Sequence, residues 1–118
     1  MEATGDPHVF LPLSPSAFYI MLVLAAEERH GYSIAKEVEE ATNGTVRLGP
    51  GTLYRVIKQM VTDGWIIEVD RVDSGDPRRR YYRLTSWGRR IARAEASRMA
   101  DAVRTAMDRR LLSASTFA

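Results

Sequence analysis

Apolar residues in the middle of the chain recur with the spacing of a helix. They occupy positions 53, 56, 57, 60 and 61, the i, i+3, i+4, i+7, i+8 series of a helix with one buried face. Pro50 suits a first helical turn, where its missing N–H would have no partner, and Gly64 marks the end. The opposite face is polar and cationic and comprises Gly51, Thr52, Arg55, Lys58, Gln59 and Thr62. The pattern predicts a helix that offers hydrogen-bond donors and positive charge to a partner.

A β-hairpin is predicted directly after this helix. Residues 65–71 and 80–84 have the β-branched and aromatic composition of strands. Residues 72–79 lie between them, contain Gly75 and Pro77, and therefore predict a turn, which also carries several arginines. A cationic helix followed by an arginine-rich hairpin indicates a winged helix-turn-helix. The predicted fold class is α+β, mainly α.

Two further helices are predicted upstream. The first spans residues 14–26, where a serine cap precedes a proline, and it is apolar on nearly every side. Arg29 and His30 are expected near its C-terminal end, where positive charge is favourable, with Gly31 as its left-handed cap. The second helix is expected over residues 32–42.

A long final helix is predicted after a cap at Thr85. About 25 helical residues would extend about 38 Å, which exceeds what a small winged-helix core can cover. Its apolar residues form a lengthwise stripe, and the sequence after it offers no segment to cover the remainder, so we expect the stripe to pack against a second copy. The predicted dimer interface comprises Phe18, Leu22, Trp87, Ile91, Ala94, Met99, Val103 and Met107.

These elements divide the 118 residues into three predicted parts. Residues 1–13 contain a glycine and two prolines and are expected to form a flexible N-terminal arm. Residues 14–84 form the winged helix-turn-helix, a DNA-binding domain in this interpretation. Residues 85–118 form the dimerisation helix and a tail.

Positive charge is concentrated in the middle of the chain, although the net charge is only +2. Residues 1–46 carry two basic and seven acidic side chains, a net −5. Residues 47–93 carry eleven basic and five acidic ones, a net +6, and residues 94–118 add +1. Such a patch is typical of a surface that binds a polyanion, and the alternative is an ordinary solvated surface.

Other kinds of chemistry have little support in the sequence. There are no cysteines, and His8 and His30 do not have the spacing of metal ligands. Residues 49–51 lack the lysine of a phosphate-binding loop, and no nucleophile lies beside a base. We therefore expect neither catalysis nor a metal or other cofactor. The longest apolar run, 17–26, is too short for a membrane span, so no membrane partner and a cytoplasmic location are expected.

The sequence resembles the PadR-like transcriptional regulators over roughly residues 13–112. The resemblance rests on segments 30–34 (HGYSI), 49–54 (GPGTLY), 63–66 (DGWI), 80–85 (RYYRLT) and 88–90 (GRR), in that order. It implies a homodimeric DNA-binding repressor whose third helix enters the major groove while the wing contacts the backbone. It also implies a short family member with a single C-terminal dimerisation helix. Family members often respond to small molecules, so a small hydrophobic or aromatic effector is an expected partner.

The predicted partner is double-stranded DNA. The expected contacts are Gly51, Thr52, Tyr54, Arg55, Lys58, Arg78, Arg79 and Arg80. Free N–H groups at the start of a helix favour phosphate, an arginine can donate two hydrogen bonds to a guanine edge, and a lysine acts on phosphate as a point charge. In the family that the chain resembles, the tyrosine at position 54 faces DNA.

The leading hypothesis is a repressor that binds a pseudo-palindromic operator as a homodimer. The alternative is a winged-helix protein-interaction module without specific DNA binding, because a fold alone does not fix function. A third hypothesis adds a hydrophobic ligand at the dimer interface near Phe18, Leu22, Trp87 and Ile91.

Overall fold

The computed structural model describes residues 5–69 and 80–117 as four helices and three short strands, with a 3-10 turn near each end of the chain. The elements are α1 Pro15–Ala26, β1 Arg29–His30, α2 Gly31–Ala41, α3 Pro50–Thr62, β2 Ile66–Val69, β3 Tyr81–Leu84 and α4 Ser86–Asp108, with 3-10 turns at Pro7–Phe10 and Ala114–Phe117. The predicted fold class is confirmed. The arginine-rich segment 70–79 lies outside the described residues.

Side-chain caps fix where three of the helices begin. The Ser14 hydroxyl accepts the Ala17 N–H at 3.1 Å, with Pro15 in the first turn of α1. The Thr85 hydroxyl accepts the Gly88 N–H at 2.9 Å at the start of α4. Both starts are as predicted from the sequence. The cap of α2 was not predicted: His30 precedes the helix, and its ring accepts the Ser33 N–H at 3.2 Å.

The three strands form one antiparallel sheet in the order β1-β3-β2. Arg29 lies opposite Tyr82 and His30 lies opposite Tyr81, so the sheet gains a strand that the sequence did not predict. Arg29 and His30 do lie shortly after the end of α1 at Ala26, but the expectation that Gly31 caps α1 is wrong. Gly31 opens α2 and does not cap α1. A two-residue strand has no periodicity of its own and is recognisable only through its pairing with β3.

The hydrophobic core lies where α1, α2 and α3 meet the sheet and the first half of α4. Its largest fully buried apolar side chains are Ile20, Met21, Ile34, Val38, Met60, Ile66 and Ile91. Clusters of this kind supply most of the stability of a small domain. The core therefore sets the relative positions of α2 and α3.

A junction formed by Gly64, Trp65, Thr85 and Gly88 joins the end of α3, the wing and α4. The Thr85 hydroxyl donates to the carbonyls of Gly64 at 2.7 Å and Trp65 at 3.0 Å, and the Thr85 N–H also donates to the Trp65 carbonyl at 3.0 Å. A Cβ at Gly88 would lie only 2.0 Å from the Trp65 carbonyl oxygen. This Thr85 junction therefore requires glycine at position 88.

The described part of the N-terminal arm packs against the rest of the chain. The Phe10 ring meets the rings of Trp65 and Trp87 edge-on, with centroids 5.5 and 6.0 Å apart. The Leu13 N–H donates to the buried Glu95 carboxylate at 2.6 Å. The expectation of a flexible arm is therefore corrected for residues 5–13, because these aromatic contacts and this hydrogen bond hold it on α4 and beside the wing.

The two halves of α4 differ in burial. The first half of the helix, as far as Glu95, contains buried apolar residues: Trp87, Ile91 and Ala94 are 8%, 0% and 8% exposed. From residue 96 to the end of the helix no residue is buried. The first half belongs to the core of this chain, and only the second half projects beyond it.

Gly88→Ala should lower the free energy of unfolding by about 1–3 kcal/mol, because a backbone carbonyl cannot move aside as a flexible side chain can. Urea unfolding would measure the loss. Gly49→Ala is the matched control, since a Cβ at Gly49 meets nothing within 4 Å. Equal stability of the two variants would contradict the close approach at the Thr85 junction.

Acid should weaken the fold partly through Glu95. The hydrogen bond from the Arg98 guanidinium, with a further one from the Leu13 N–H, holds the pKa of Glu95 below its ordinary value of 4.5. A carboxylate with a depressed folded-state pKa stabilises the fold above its ordinary pKa, and this contribution is lost as pH falls through the folded-state pKa. Wild type should therefore lose more stability than Glu95→Gln between about pH 5 and pH 3 in urea unfolding. Parallel pH profiles would contradict this role.

Candidate nucleic-acid interface

The outward face of α3 is mostly polar and open, as the spacing predicts, but Val61, which the spacing assigned to the buried face, is 39% exposed. Leu53, Ile57 and Met60 are 3%, 2% and 2% exposed and anchor the helix in the core. The exposed residues of α3 include Gly51, Thr52, Tyr54, Arg55, Lys58 and Gln59. Five of the eight predicted DNA contacts therefore share one accessible helix face.

The N-terminus of α3 is uncovered. Gly49 is its cap and makes no side-chain hydrogen bond, and Pro50 occupies the first turn. A Cβ at either Gly49 or Gly51 would have nothing within 4 Å, so a ligand can approach the backbone closely there. Amide groups at such an end, together with the helix dipole, favour an anion such as phosphate.

Arg55 and Lys58 supply the positive charge of this face. Both are exposed, and neither forms an ion pair with any other residue that the structure describes. They are three residues apart and so lie on neighbouring turns of the helix. Both cationic groups are therefore available to a polyanion.

Tyr54 lies at the border between the buried and exposed faces of α3. Its side chain is half-exposed, and its ring and hydroxyl lie against Gly31, the first residue of α2. The residue therefore contacts the neighbouring helix of the helix-turn-helix and still reaches the surface.

A cleft of about 550 Å³ separates α2 from the start of α3. Its lining includes Tyr32, Lys36 and Arg47, which were not predicted as site residues, together with Tyr54. Arg47 lies 3.4 Å from the Glu39 carboxylate, and both side chains are exposed. The signal that could have found them is the short connection between the helices, because it brings the polar face of α2 beside the α3 N-terminus.

Of the three arginines predicted to contact DNA from the wing, the described residues include Arg80. Arg80 is exposed, but its guanidinium donates to the Glu68 carboxylate across the hairpin at 2.7 Å, and this hydrogen bond raises the pKa of Arg80. Burial raises the pKa of the Tyr82 phenol, two residues further along the chain, and the Glu68 carboxylate adds to the effect. The predicted contacts Arg78 and Arg79 lie outside the described residues.

The predicted dimer interface is divided between the core and the surface. Phe18, Trp87, Ile91 and Ala94 are buried within their own chain, at 8% exposure or less. Trp87, for example, contacts Phe10 and has the Arg90 guanidinium 5.0 Å from its ring centre. The residues of the set that retain accessible apolar surface are Leu22 and Met99, exposed, and Val103 and Met107, half-buried.

Within residues 5–69 and 80–117, no group of three or more histidine, aspartate or glutamate side chains is arranged to hold a metal ion. None of the helices described is both long and apolar enough to cross a membrane.

Comparison with known proteins gives consistent results. Residues 20–94 match the family described as "Transcriptional regulator PadR-like family". An uncharacterised protein of Lysinibacillus sphaericus is 32% identical over 71 residues, which span 59% of this chain and 64% of that protein, less than two thirds of its length.

Solved structures share the fold. A PadR family transcription regulator from Clostridium difficile R20291 is 27% identical, with a TM-score of 0.68 over 84% of this chain and 100% of that one. Bacillus subtilis PadR in complex with operator DNA is 19% identical, with a TM-score of 0.62 over 70% of this chain and 47% of that one. The second similarity supports the fold alone.

Proposed function

The chain belongs to the PadR-like family of transcriptional regulators, and on this premise we propose that it binds operator DNA sequence-specifically, as a homodimeric repressor. The observation that carries the proposal is the outward face of α3, where Arg55 and Lys58 have no counter-ion among the described residues beside an open helix N-terminus. This combination provides both hydrogen-bond donors and unneutralised charge for a polyanion.

The dimensions of α3 suit the major groove. Its 13 residues span about 20 Å, and a B-DNA major groove, about 12 Å wide, admits one α-helix. The charge distribution adds support, since residues 47–93 carry a net +6 while the preceding segment is acidic. The fold is shared with Bacillus subtilis PadR, which was solved in complex with operator DNA.

Each exposed residue has a proposed role that follows from its chemistry. Arg55 donates two hydrogen bonds to a guanine edge, and Lys58 meets phosphate. The backbone at Gly51 and Thr52 meets phosphate through its N–H groups. Arg80 contacts the DNA backbone once phosphate replaces Glu68 as its partner. Arg78 and Arg79 stay predictions of the same kind.

The dimer is proposed to form through the apolar surface that the fold leaves uncovered. Met99, Val103 and Met107 recur every four residues along the projecting half of α4, and Leu22 adds exposed apolar surface on α1. Helices with such stripes pair along their length. Two copies would then present their α3 helices to successive major grooves, about 34 Å apart, on a pseudo-palindromic site.

A small hydrophobic or aromatic effector stays a hypothesis. The residues predicted to surround it include Phe18, Trp87 and Ile91, whose side chains are buried within their own chain. An effector at that place would have to bind against Leu22 at the interface between the copies.

Binding to the DNA upstream of its own gene should weaken steeply with salt, because each neutralised phosphate releases counter-ions. Replacing both Arg55 and Lys58 with alanine should weaken binding and reduce the slope of log K against log[salt] by about 2, because each of the two subunits loses the phosphate contact of its Lys58. Fluorescence anisotropy over a salt series would measure both slopes. Arg104→Ala on the distal half of α4 removes one positive charge and should leave the slope unchanged.

No detectable binding at low salt, or equal slopes for wild type and the double variant, would contradict the DNA-binding proposal. If the double variant still bound a partner protein as tightly as wild type, the alternative hypothesis of a winged-helix protein-interaction module would then be favoured.

The chain should sediment as a dimer at micromolar concentration, and Val103→Glu should shift it towards monomer, because a carboxylate would be buried without a partner. Thr105→Glu is the matched control, since Thr105 lies on the exposed side of the same helical turn. A monomeric wild type, or equal sedimentation of the two variants, would contradict the proposed interface.

A further inference from the structure

Gly31 occupies a position where the backbone does not demand glycine. It is the first residue of α2, and its φ lies outside the left-handed region that other residues avoid. Alanine is the better helix former, so glycine at a helical position has a cost of its own. Space is therefore the remaining structural reason for a glycine here.

The space beside Gly31 is filled by Tyr54 of α3. A Cβ built on Gly31 would lie 2.8 Å from the Tyr54 hydroxyl oxygen, 2.9 Å from Cε1 and 3.1 Å from Cζ. Real Cβ atoms do not approach other heavy atoms to less than 3.0 Å, as the first two of these distances would require, so a residue with a Cβ would displace the ring. The missing side chain at position 31 thus allows the outer end of Tyr54 to lie on the first turn of α2.

This contact determines where the Tyr54 hydroxyl lies. The side chain is half-exposed, so much of its ring has no covering from the core, and its outer end could rotate in the absence of the contact. Tyr54 also lines the cleft between α2 and α3, together with Tyr32 and Lys36. The packing against Gly31 therefore fixes one wall of this cleft, about one helical turn before the exposed Lys58.

We propose that Gly31 is a positioning residue for DNA binding and that it acts through Tyr54. The inference rests on the proposed function and deepens it. Gly31 leaves room for the ring, the ring holds its hydroxyl at the surface between the two helices, and the ordered hydroxyl donates to a DNA phosphate. A hydroxyl that is ordered before binding loses less conformational entropy when the complex forms.

Gly31→Ala should weaken binding to the operator duplex about threefold to tenfold, the range of one hydrogen bond. The melting temperature should change little, because the displaced atoms are the outer end of a half-exposed, flexible side chain. Tyr54→Ala should weaken binding at least as much. Gly31→Ala should then have no additional effect in the Tyr54→Ala background, since no ring is left to displace.

The experiment is this double-mutant cycle, measured by anisotropy at one salt concentration with thermal melts of all four proteins. Gly49→Ala, combined in the same way with Tyr54→Ala, is the matched control. Gly49 has open space around it, so its effect should be the same with and without Tyr54.

Additive effects of Gly31→Ala and Tyr54→Ala, with binding by wild type intact, would overturn this inference and leave the proposed function standing. A large fall in the melting temperature of Gly31→Ala would overturn it too, since the glycine would then serve the fold. Failure of wild type to bind DNA at all would overturn both.

Discussion

The arrangement of the whole molecule depends on the Thr85 junction. One side chain there caps α4 and donates to the last two carbonyls before the wing, while Gly88 allows the helix to lie directly on the Trp65 carbonyl. The end of α3, the first strand of the hairpin and the start of α4 are consequently held next to one another in space. Any change of angle at this point would move α3 relative to α4, because all three elements share the same hydrogen-bonded groups.

Charge and packing are assigned to different faces of the same short helix. The buried positions of α3 are apolar and hold it in the core, whereas the cations stand on the outer face without partners among the described residues. On the wing, by contrast, Arg80 already has a carboxylate partner in Glu68. A phosphate that binds Arg80 must compete with that pair, whereas Arg55 and Lys58 have no such competitor among the described residues.

The sequence predicted those features that depend on local chemistry. The start of α1 at Ser14 and the start of α4 at Thr85 follow from capping residues, and the apolar spacing of α3 identified its buried and exposed faces. It did not predict β1, because Arg29 and His30 become a strand only by pairing with residues more than fifty positions away. The packing of Phe10 on two tryptophans, and of Gly31 beneath Tyr54, depends on tertiary proximity in the same way.

The prediction for α4 shows how a single stripe can serve two purposes. Its spacing indicated one continuous apolar face, but periodicity cannot say which part of that face the chain covers by itself. The stripe is buried in the core as far as Ala94, whereas Met99 is exposed and Val103 and Met107 are only half-buried. Because α4 is one unbroken helix, a second copy bound to its distal half would be tied through the Thr85 junction to α3. The distance between two recognition helices would then be set by the rigidity of α4.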